Sequence, residues 1–351
     1  MTGECRPLTS LRGAAALIVV LYHYSINVQA TAQASIPSLV PHGYLAVDLF
    51  FMLSGFIMTH RYRDAFRTNG WAAFPDFFVK RVARIVPLNT VVVTLLVSVG
   101  LAFGGLPDRP EAGGDIALLW DGLLNLLMLQ GFGHNLNLPA WTLLFEFIAY
   151  CLLPILLMLL RWRRGAEPLA WFLALGILAG VALAHPPLRL ATPDALSALL
   201  RCEAEFAIGV LTYRALDRPA LRRTLASDAA GVAIVLAAAV FAEIGVDLLT
   251  ITVFPPLIAA FALNRRVVER IAASRIPHFL GEISFSIYLL HMPLRPIWFG
   301  IAGQLCGGVI PARAVELTIA AGMLATIPVA ALSYAAIERP GRRVIRRLAA
   351  R

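Results

Sequence analysis

Charge is scarce in this chain. Only 15% of its 351 residues are Asp, Glu, Lys or Arg, 59% are hydrophobic, and mean hydropathy is +0.76. A soluble globular domain sits nearer ~25% charged. A water-soluble fold is thereby excluded, and almost nothing is left over for a fused soluble catalytic domain. Cysteine is scarce as well. Cys5, Cys151, Cys202 and Cys306 make no CxxC or metal-type spacing, which argues against a disulfide scaffold, a zinc site or a thiol redox centre. No Walker A, GxSxG or HExxH motif occurs, and no metal-ligand set has a convincing spacing. The net charge of +9 does not form one basic patch. The arginines sit in short clusters between apolar runs, which removes nucleic acid as a partner and leaves a topology signal.

What is present is apolar length. Ten stretches approach the ~20 residues that cross a bilayer: residues 8–27, 44–60, 82–104, 141–160, 169–184, 197–215, 229–243, 248–263, 279–300 and 314–336. With the N-terminus inside, the inner loops collect most of the basic residues, among them Arg61, Arg63, Arg67, Arg81, Arg84, Arg214, Arg218, Arg222, Arg266 and Arg270, and the tail adds Arg339, Arg342 and Arg343. The outer loops hold only Arg109, Arg189 and Arg313, with Arg201 and Arg295 near outer span ends. This is the positive-inside asymmetry. It predicts an all-α, polytopic membrane helix bundle of about ten transmembrane helices with both termini cytoplasmic, lodged in the inner (plasma) membrane. An eleventh crossing at 116–131 would invert every later loop, so 105–140 reads as an outer segment with a re-entrant or interfacial helix. Asp121 and Asn125 give that helix a protein-facing, partly wet side. Arg6 ahead of an apolar run and the Ala32-Gln33-Ala34 tripeptide admit a signal peptide as the alternative. The ionisable Arg12, Tyr22, His23 and Tyr24 inside that run, and the balance of loop charge, favour a retained span and one domain over 1–351.

An ionisable residue inside a membrane span is costly and marks a candidate functional site. Arg12 and His23 lie eleven residues apart in the first span. At about 100° and ~1.5 Å per residue they share a helix face at depths roughly 16 Å apart. In the predicted topology His23, Asp48 and Glu146 share an outer depth, where a histidine and a carboxylate make a general base. Which acid orients the ring is open. Arg81 and Arg84 are neighbours on one inner helix face and, with Arg12, suit phosphates, which guanidinium groups grip bidentately. Arg201 and Glu205 are an i,i+4 pair that would neutralise each other. His291 is either a substrate contact or a helix-to-helix hydrogen bond. His42, His60, His134, His185 and His278 are expected in solvated loops. Trp141, Tyr22 and Tyr24 are alternatives for the donor that stabilises an oxyanion.

These same residues resemble the acyltransferase-3 family of integral membrane acyl transferases nearly end to end. LRGAAALIVVLYH resembles the family's arginine–ten–histidine motif, and HGYLAVDLFFMLSGFIM its second-span signature. KRVARIVPL is similar to its Arg-x-x-Arg element, PAWTLLFEFIAY to its Trp–five–Glu element, ISFSIYLLHMPL to its late histidine-bearing span and SYAAIERPGRR to its closing segment. Two departures stand out. The closing segment reads Glu338-Arg339-Pro340, and Glu146 is the sole acid where many members carry a serine and paired acids after the tryptophan. The resemblance implies no resident cofactor, with cytoplasmic acyl-CoA, acetyl-CoA above all, as donor substrate and Arg12, Arg81 and Arg84 on its phosphates. His23 with Asp48 or Glu146 would be catalytic, and Trp141 and His291 would contact substrate. The acceptor would be a hydroxyl of an extracytoplasmic glycan or lipid-linked sugar, as in exopolysaccharide or lipopolysaccharide acetylation. His23 then acts either as a base in a ternary complex or as an acyl-carrying nucleophile. A transporter or lipid flippase using the same polar residues, and a scaffold needing no His23, are the rival readings. Acceptor identity and homo-oligomerisation stay open, and membrane lipids surround the chain in every reading.

Overall fold

A computed structural model of the protein describes residues 5–32, 40–106, 114–162, 165–185, 194–264 and 266–349. Ala32-Gln33-Ala34 extends beyond these residues, and Arg109, Arg189 and the stretch 107–113 of the expected outer segment lie outside them. The described secondary structure is helical almost throughout. In chain order the α-helices are α1 (Arg6–Ala32), α2 (Ala46–Asn69), α3 (Phe74–Phe103), α4 (Gly114–Leu126), α5 (Trp141–Trp162), α6 (Glu167–Ala184), α7 (Ala195–Ala215) and α8 (Pro219–Leu225). They continue as α9 (Asp228–Ile244), α10 (Asp247–Leu263), α11 (Val267–Ala272), α12 (Arg275–Glu282), α13 (Ser284–Leu305), α14 (Val315–Ser333) and α15 (Arg339–Ala349).

The expected count of ten spans does not stand. Among the described residues four helical stretches are long and apolar enough to cross a membrane: His42–Phe103, Leu138–Leu160, Glu167–Ala184 and Ala312–Ala349. A fifth is added if α8 and α9, bent by 73° at their junction, form one broken span. The physical reasons are local. α7 carries Arg201, Glu203, Glu205 and Arg214, and α10 has only 17 residues. His42–Phe103 runs on through two of the expected stretches. Multiple helices of this kind make the chain a multi-pass inner-membrane protein. Its exterior agrees: Phe172, Leu183, Leu324 and Leu332 are each more than 65% exposed, which water would penalise and lipid does not.

The described residues form two compact units, 5–22, 40–74 and 149–284 in the first and 23–32, 75–148 and 285–349 in the second. In the first unit α2 and α7 pack backbone to backbone. A side chain on Gly55 would begin 2.0 Å from the Phe206 carbonyl oxygen, and one on Gly209 would begin 2.0 Å from that of Met52. Without an apolar–water contrast between helices, such close small-residue contact is what drives association in lipid. Near this seam Arg201 takes Asp48 bidentately, with Nε 2.9 Å from Oδ1 and Nη2 on Oδ2, and also reaches Glu205 at 3.2 Å. All three are buried. Asp194 caps α7 by accepting from the Ser197 backbone N–H at 2.8 Å, and that bond holds its carboxyl below the usual range.

In the second unit α4 is inside out. Its polar Asp121 and Asn125 are buried while Leu119, Trp120 and Leu123 are exposed. Asp121 accepts from the His134 backbone N–H at 2.9 Å, and Asn125 donates to the His134 carbonyl at 2.7 Å and accepts from the Leu136 N–H at 3.1 Å. The polar face of α4 therefore fixes the segment that leads into α5.

The glycine seam yields a test. Gly209→Val should destabilise the chain by at least the ~1–3 kcal/mol of an overpacked core and lower its melting temperature in detergent. Gly180→Ala, where an added carbon meets nothing within 4 Å, should leave it unchanged. Equal melting of the two variants would show that the seam contributes nothing.

Candidate active site

The centre of the second unit is built on α13. Pro293 has no N–H, so the Leu289 carbonyl lacks its helical donor. Asn137 Nδ2 donates to that carbonyl instead, at 2.9 Å. One residue earlier, Tyr288 donates its hydroxyl to the Pro139 carbonyl at 3.0 Å and lies 3.2 Å from the Thr142 hydroxyl. The segment entering α5 is thereby fastened to α13 beside His291.

His291 is fully buried, and its protons can be assigned from its neighbours. Nδ1 lies 2.6 Å from the Tyr288 carbonyl oxygen. A carbonyl only accepts, so Nδ1 carries the hydrogen. A neutral imidazole has one N–H, which leaves Nε2 as the acceptor. Nε2 lies 3.0 Å from His23 Nδ1, so His23 Nδ1 donates. The second nitrogen of His23, Nε2, is left with its lone pair on a half-buried ring. Tyr24, buried behind the pair, donates to the His291 backbone carbonyl at 3.0 Å and contacts Thr326 at 3.0 Å. The arrangement is one imidazole oriented by a second, which stands in the position a carboxylate occupies in a Ser-His-Asp triad.

A second cluster of the same unit gathers basic groups around Glu338, which is fully buried. Arg84 Nη1 lies 2.8 Å from Glu338 Oε1, Arg342 bonds the same oxygen, and Ser286 donates to Oε2 at 2.8 Å. The Arg84 guanidinium also sits 5.6 Å from the centre of the Phe285 ring. Arg81 is on the same face of α3, one turn earlier. Arg81, Arg84 and Arg342 thus gather guanidinium groups on and beside one carboxylate, a donor type that suits phosphate groups. Glu338 ends a π-helical turn, Tyr334–Glu338, closed by the Arg339 N–H on the Tyr334 carbonyl. Pro340 explains the turn: its ring obstructs the regular i−4 bond, and a wider turn absorbs the misfit. The following residue, Gly341, lets the chain pass Pro87 of α3, where an added carbon would begin 2.5 Å away.

The acyltransferase-3 family, whose model describes an acyltransferase domain, matches residues 8–337. The chain belongs to this family. Curated relatives include acyltransferase MdmB of Streptomyces mycarofaciens, 31% identical over 189 residues that cover 50% of this chain and 44% of the relative. The peptidoglycan O-acetyltransferase OatA of Listeria monocytogenes is 25% identical over 183 residues, 50% of this chain and 28% of the relative. Protein 2 in the picA locus of Rhizobium radiobacter is 34% identical over 156 residues, 40% of this chain and 76% of the relative. The chain thus matches less than half the length of the first two. No solved structure matches.

Against the expectations for an acyltransferase-3 chain, the second unit brings His23 together with His291, and Arg84 together with Arg342 through Glu338. His291 has no exposed surface and both ring nitrogens are engaged, Nδ1 with the Tyr288 carbonyl and Nε2 with His23. Asp48 does not orient an imidazole, because both its oxygens accept from Arg201 in the first unit; Arg201 holds two acids where the sequence pairs it with Glu205 alone. Tyr24 is not an oxyanion donor, its hydroxyl being taken by the His291 carbonyl. Glu146 is half-buried on α5, one turn after Thr142 and on its face. Trp141 opens α5 with its ring edge-to-face on Phe145 at 5.8 Å. Arg12 lies on α1 in the first unit, half-buried. The solvated-loop reading of the other histidines fails for most of them. His278 is 9% exposed, His42 is held 3.2 Å from buried Asp247, and His60 lies on α2 against Tyr213. Only His134 has a mostly exposed side chain, at 69%, with His185 at 18%. Glu338, Ser286, Asn137 and Tyr288 escaped sequence reasoning as site residues. The prolines at 293 and 340, each freeing a backbone carbonyl, were the available signal.

The assignment of protons has a direct check. Diethylpyrocarbonate acylates an unprotonated, accessible imidazole nitrogen, so peptide mass mapping should find His23 and His134 modified and His291 unmodified. A modified His291 in the folded protein would refute the tautomers assigned here.

Proposed function

We propose that the chain is a membrane-embedded O-acyltransferase that moves an acyl group, foremost acetyl, from cytoplasmic acyl-CoA to a hydroxyl of an extracytoplasmic glycan. The observation that carries the reading is the 3.0 Å hydrogen bond between His23 Nδ1 and His291 Nε2, which fixes the tautomer of His23 and makes its Nε2 the basic nitrogen. Family membership and the peptidoglycan O-acetyltransferase among the relatives support acyl transfer and a glycan acceptor. The basic cluster supports a phosphate-bearing donor, with Arg81 and Arg84 as phosphate ligands, Arg342 as a third and Arg12 as an expected contributor.

In this reading His23 Nε2 takes the proton of the acceptor hydroxyl as its oxygen attacks the thioester carbonyl carbon. The imidazolium is stabilised because its Nδ1–H already points at His291 Nε2, and a charged donor strengthens that bond. Collapse of the tetrahedral intermediate breaks the carbon–sulfur bond. The leaving thiolate takes the proton back from Nε2, giving free CoA and the ester. Trp141 at the start of α5 is the proposed oxyanion donor, and Glu146 supplies negative charge on the face of α5 shared with Thr142. The spacing comes from α13: Ser286, which holds the Glu338 cluster, and His291 are five residues apart, or roughly 7.5 Å along the axis. This reading expects the basic cluster at the cytoplasmic end and His23 nearer the exterior, following the clustering of arginines on one side.

Reconstituted protein given labelled acetyl-CoA and peptidoglycan or lipid-linked glycan fragments should transfer label to the acceptor. His23→Ala should reduce transfer by about 10²–10⁴-fold, the usual share of a general base, while the variant still inserts and melts normally. Undiminished transfer in that variant, or solute flux without CoA release, would remove the enzyme reading in favour of a scaffold or a transporter. Without acceptor, a single turnover should leave the protein unlabelled; label on His23 would replace direct transfer by an acyl-histidine route. Glu338→Gln should raise KM for acetyl-CoA several-fold more than KM for acceptor. An unchanged KM for acetyl-CoA would take the arginine cluster out of donor binding.

A further inference from the structure

The first unit holds a cavity of about 620 Å³ at the C-terminal ends of α2, α5 and α7. Its lining mixes two chemistries, Arg63, Arg67 and Arg214 with Leu157, Met158 and Leu160, and Asp217 is the one acid among the lining residues. Helix C-termini carry partial negative charge, so stabilisation of those ends is the plain reading of arginines placed here. Their geometry exceeds that role. Arg63 lies over the Tyr213 ring at 5.3 Å, and its ion pairs, to Asp64 at 3.8 Å and to Asp217 at 3.6 Å, are beyond hydrogen-bonding distance. The Arg67–Asp64 pair is 3.5 Å with both side chains more than 60% exposed, and pairs of this kind contribute ~0–1 kcal/mol. Arg214 bonds Glu167 through Nη2, yet its Nε is buried with no hydrogen-bond partner among the described residues. The buried Arg214 Nε with no hydrogen-bond partner among the described residues, the long ion pairs of Arg63 and the apolar residues in the same lining describe a site for a phosphate that carries a hydrocarbon chain.

We propose that this cavity binds an anionic glycerophospholipid of the inner leaflet, its phosphate on Arg63, Arg67 and Arg214 and an acyl chain against Leu157, Met158 and Leu160. Basic pockets between membrane helices on the cytoplasmic side recognise lipid headgroups in this way. A soluble phosphate would use the same guanidiniums and leave the apolar wall wet, which is why the lipid is preferred. The site shares no residue with the basic cluster around Glu338 and does not depend on the acyl-transfer reading.

Native mass spectrometry of the full chain, released from detergent with graded phosphatidylglycerol or phosphatidylcholine, tests the proposal. The wild type should retain phosphatidylglycerol preferentially, and the Arg63→Gln, Arg67→Gln double variant should lower that preference about tenfold, given the usual contribution of each basic residue near an anionic headgroup. Arg343→Gln with Arg346→Gln, on the exposed surface of α15, should leave it intact. Arg67→Gln alone, at a side chain 67% exposed, lowers the preference by a smaller factor and serves if the double variant does not fold. Equal retention of both lipids by the wild type, an unchanged preference in the pocket variants, or loss of preference only in the α15 variant would overturn the proposal. Displacement of bound phosphatidylglycerol by millimolar inorganic phosphate or coenzyme A would overturn it too, assigning the cavity to a soluble phosphate.

Discussion

In the acyl-transfer reading proposed here, the hydrogen bond between His23 and His291 is the contact on which the chemistry depends. Neither ring alone has a defined proton. The Tyr288 carbonyl decides the question for His291, His291 decides it for His23, and the outcome is a lone pair on one known nitrogen. A buried imidazole does here what a buried carboxylate does in a serine hydrolase, with one difference. A neutral orienting group adds no fixed charge to a membrane interior, where an unpaired ion is costly. Acids are nonetheless present at comparable positions in the helices, and the structure shows how one is contained: Asp48 is neutralised bidentately by Arg201.

Proline carries much of the explanation for how the site is assembled. In water a mid-helix proline is a defect of about 3 kcal/mol or more. In lipid it is tolerated where another group takes over the freed carbonyl. Pro293 frees Leu289 for Asn137, and that bond holds the segment before α5 against α13. The polar face of α4 secures the same segment from the other side through Asp121 and Asn125. A helix too short to cross thus contributes by ordering what precedes α5, while Leu119, Trp120 and Leu123 face outward.

Much of this was legible in the sequence. Low charge, apolar runs and clustered arginines announce a multi-pass helical membrane protein, and His23, Arg81 and Arg84 stand out as ions in apolar surroundings. The number of spans was not legible. Residues such as those of α7 are apolar on average yet charged at their core, and window hydropathy cannot separate a lipid-facing helix from one sheltered by neighbours. Partner choice was not legible either. Depth arguments put His23, Asp48 and Glu146 at one level, but depth does not give azimuth, and a pairing such as Asp48–Arg201 depends on which helices are adjacent. Glu338 looked like part of a cytoplasmic tail because its neighbours are arginines. Its burial follows from the wide turn before Pro340, a backbone property without a hydropathy signature.

That wide turn has a genetic consequence. It is one extra residue accommodated inside an otherwise regular helix, so the phase of everything after it depends on chain length rather than on side-chain identity. Conservative exchanges at Ala335 or Ala336 leave the phase alone. Removing either, with Pro340 still imposing the wide turn, would swing Glu338 by about 100°, away from Arg84 and Ser286. Drift in this stretch is therefore open to substitution and closed to insertion or deletion.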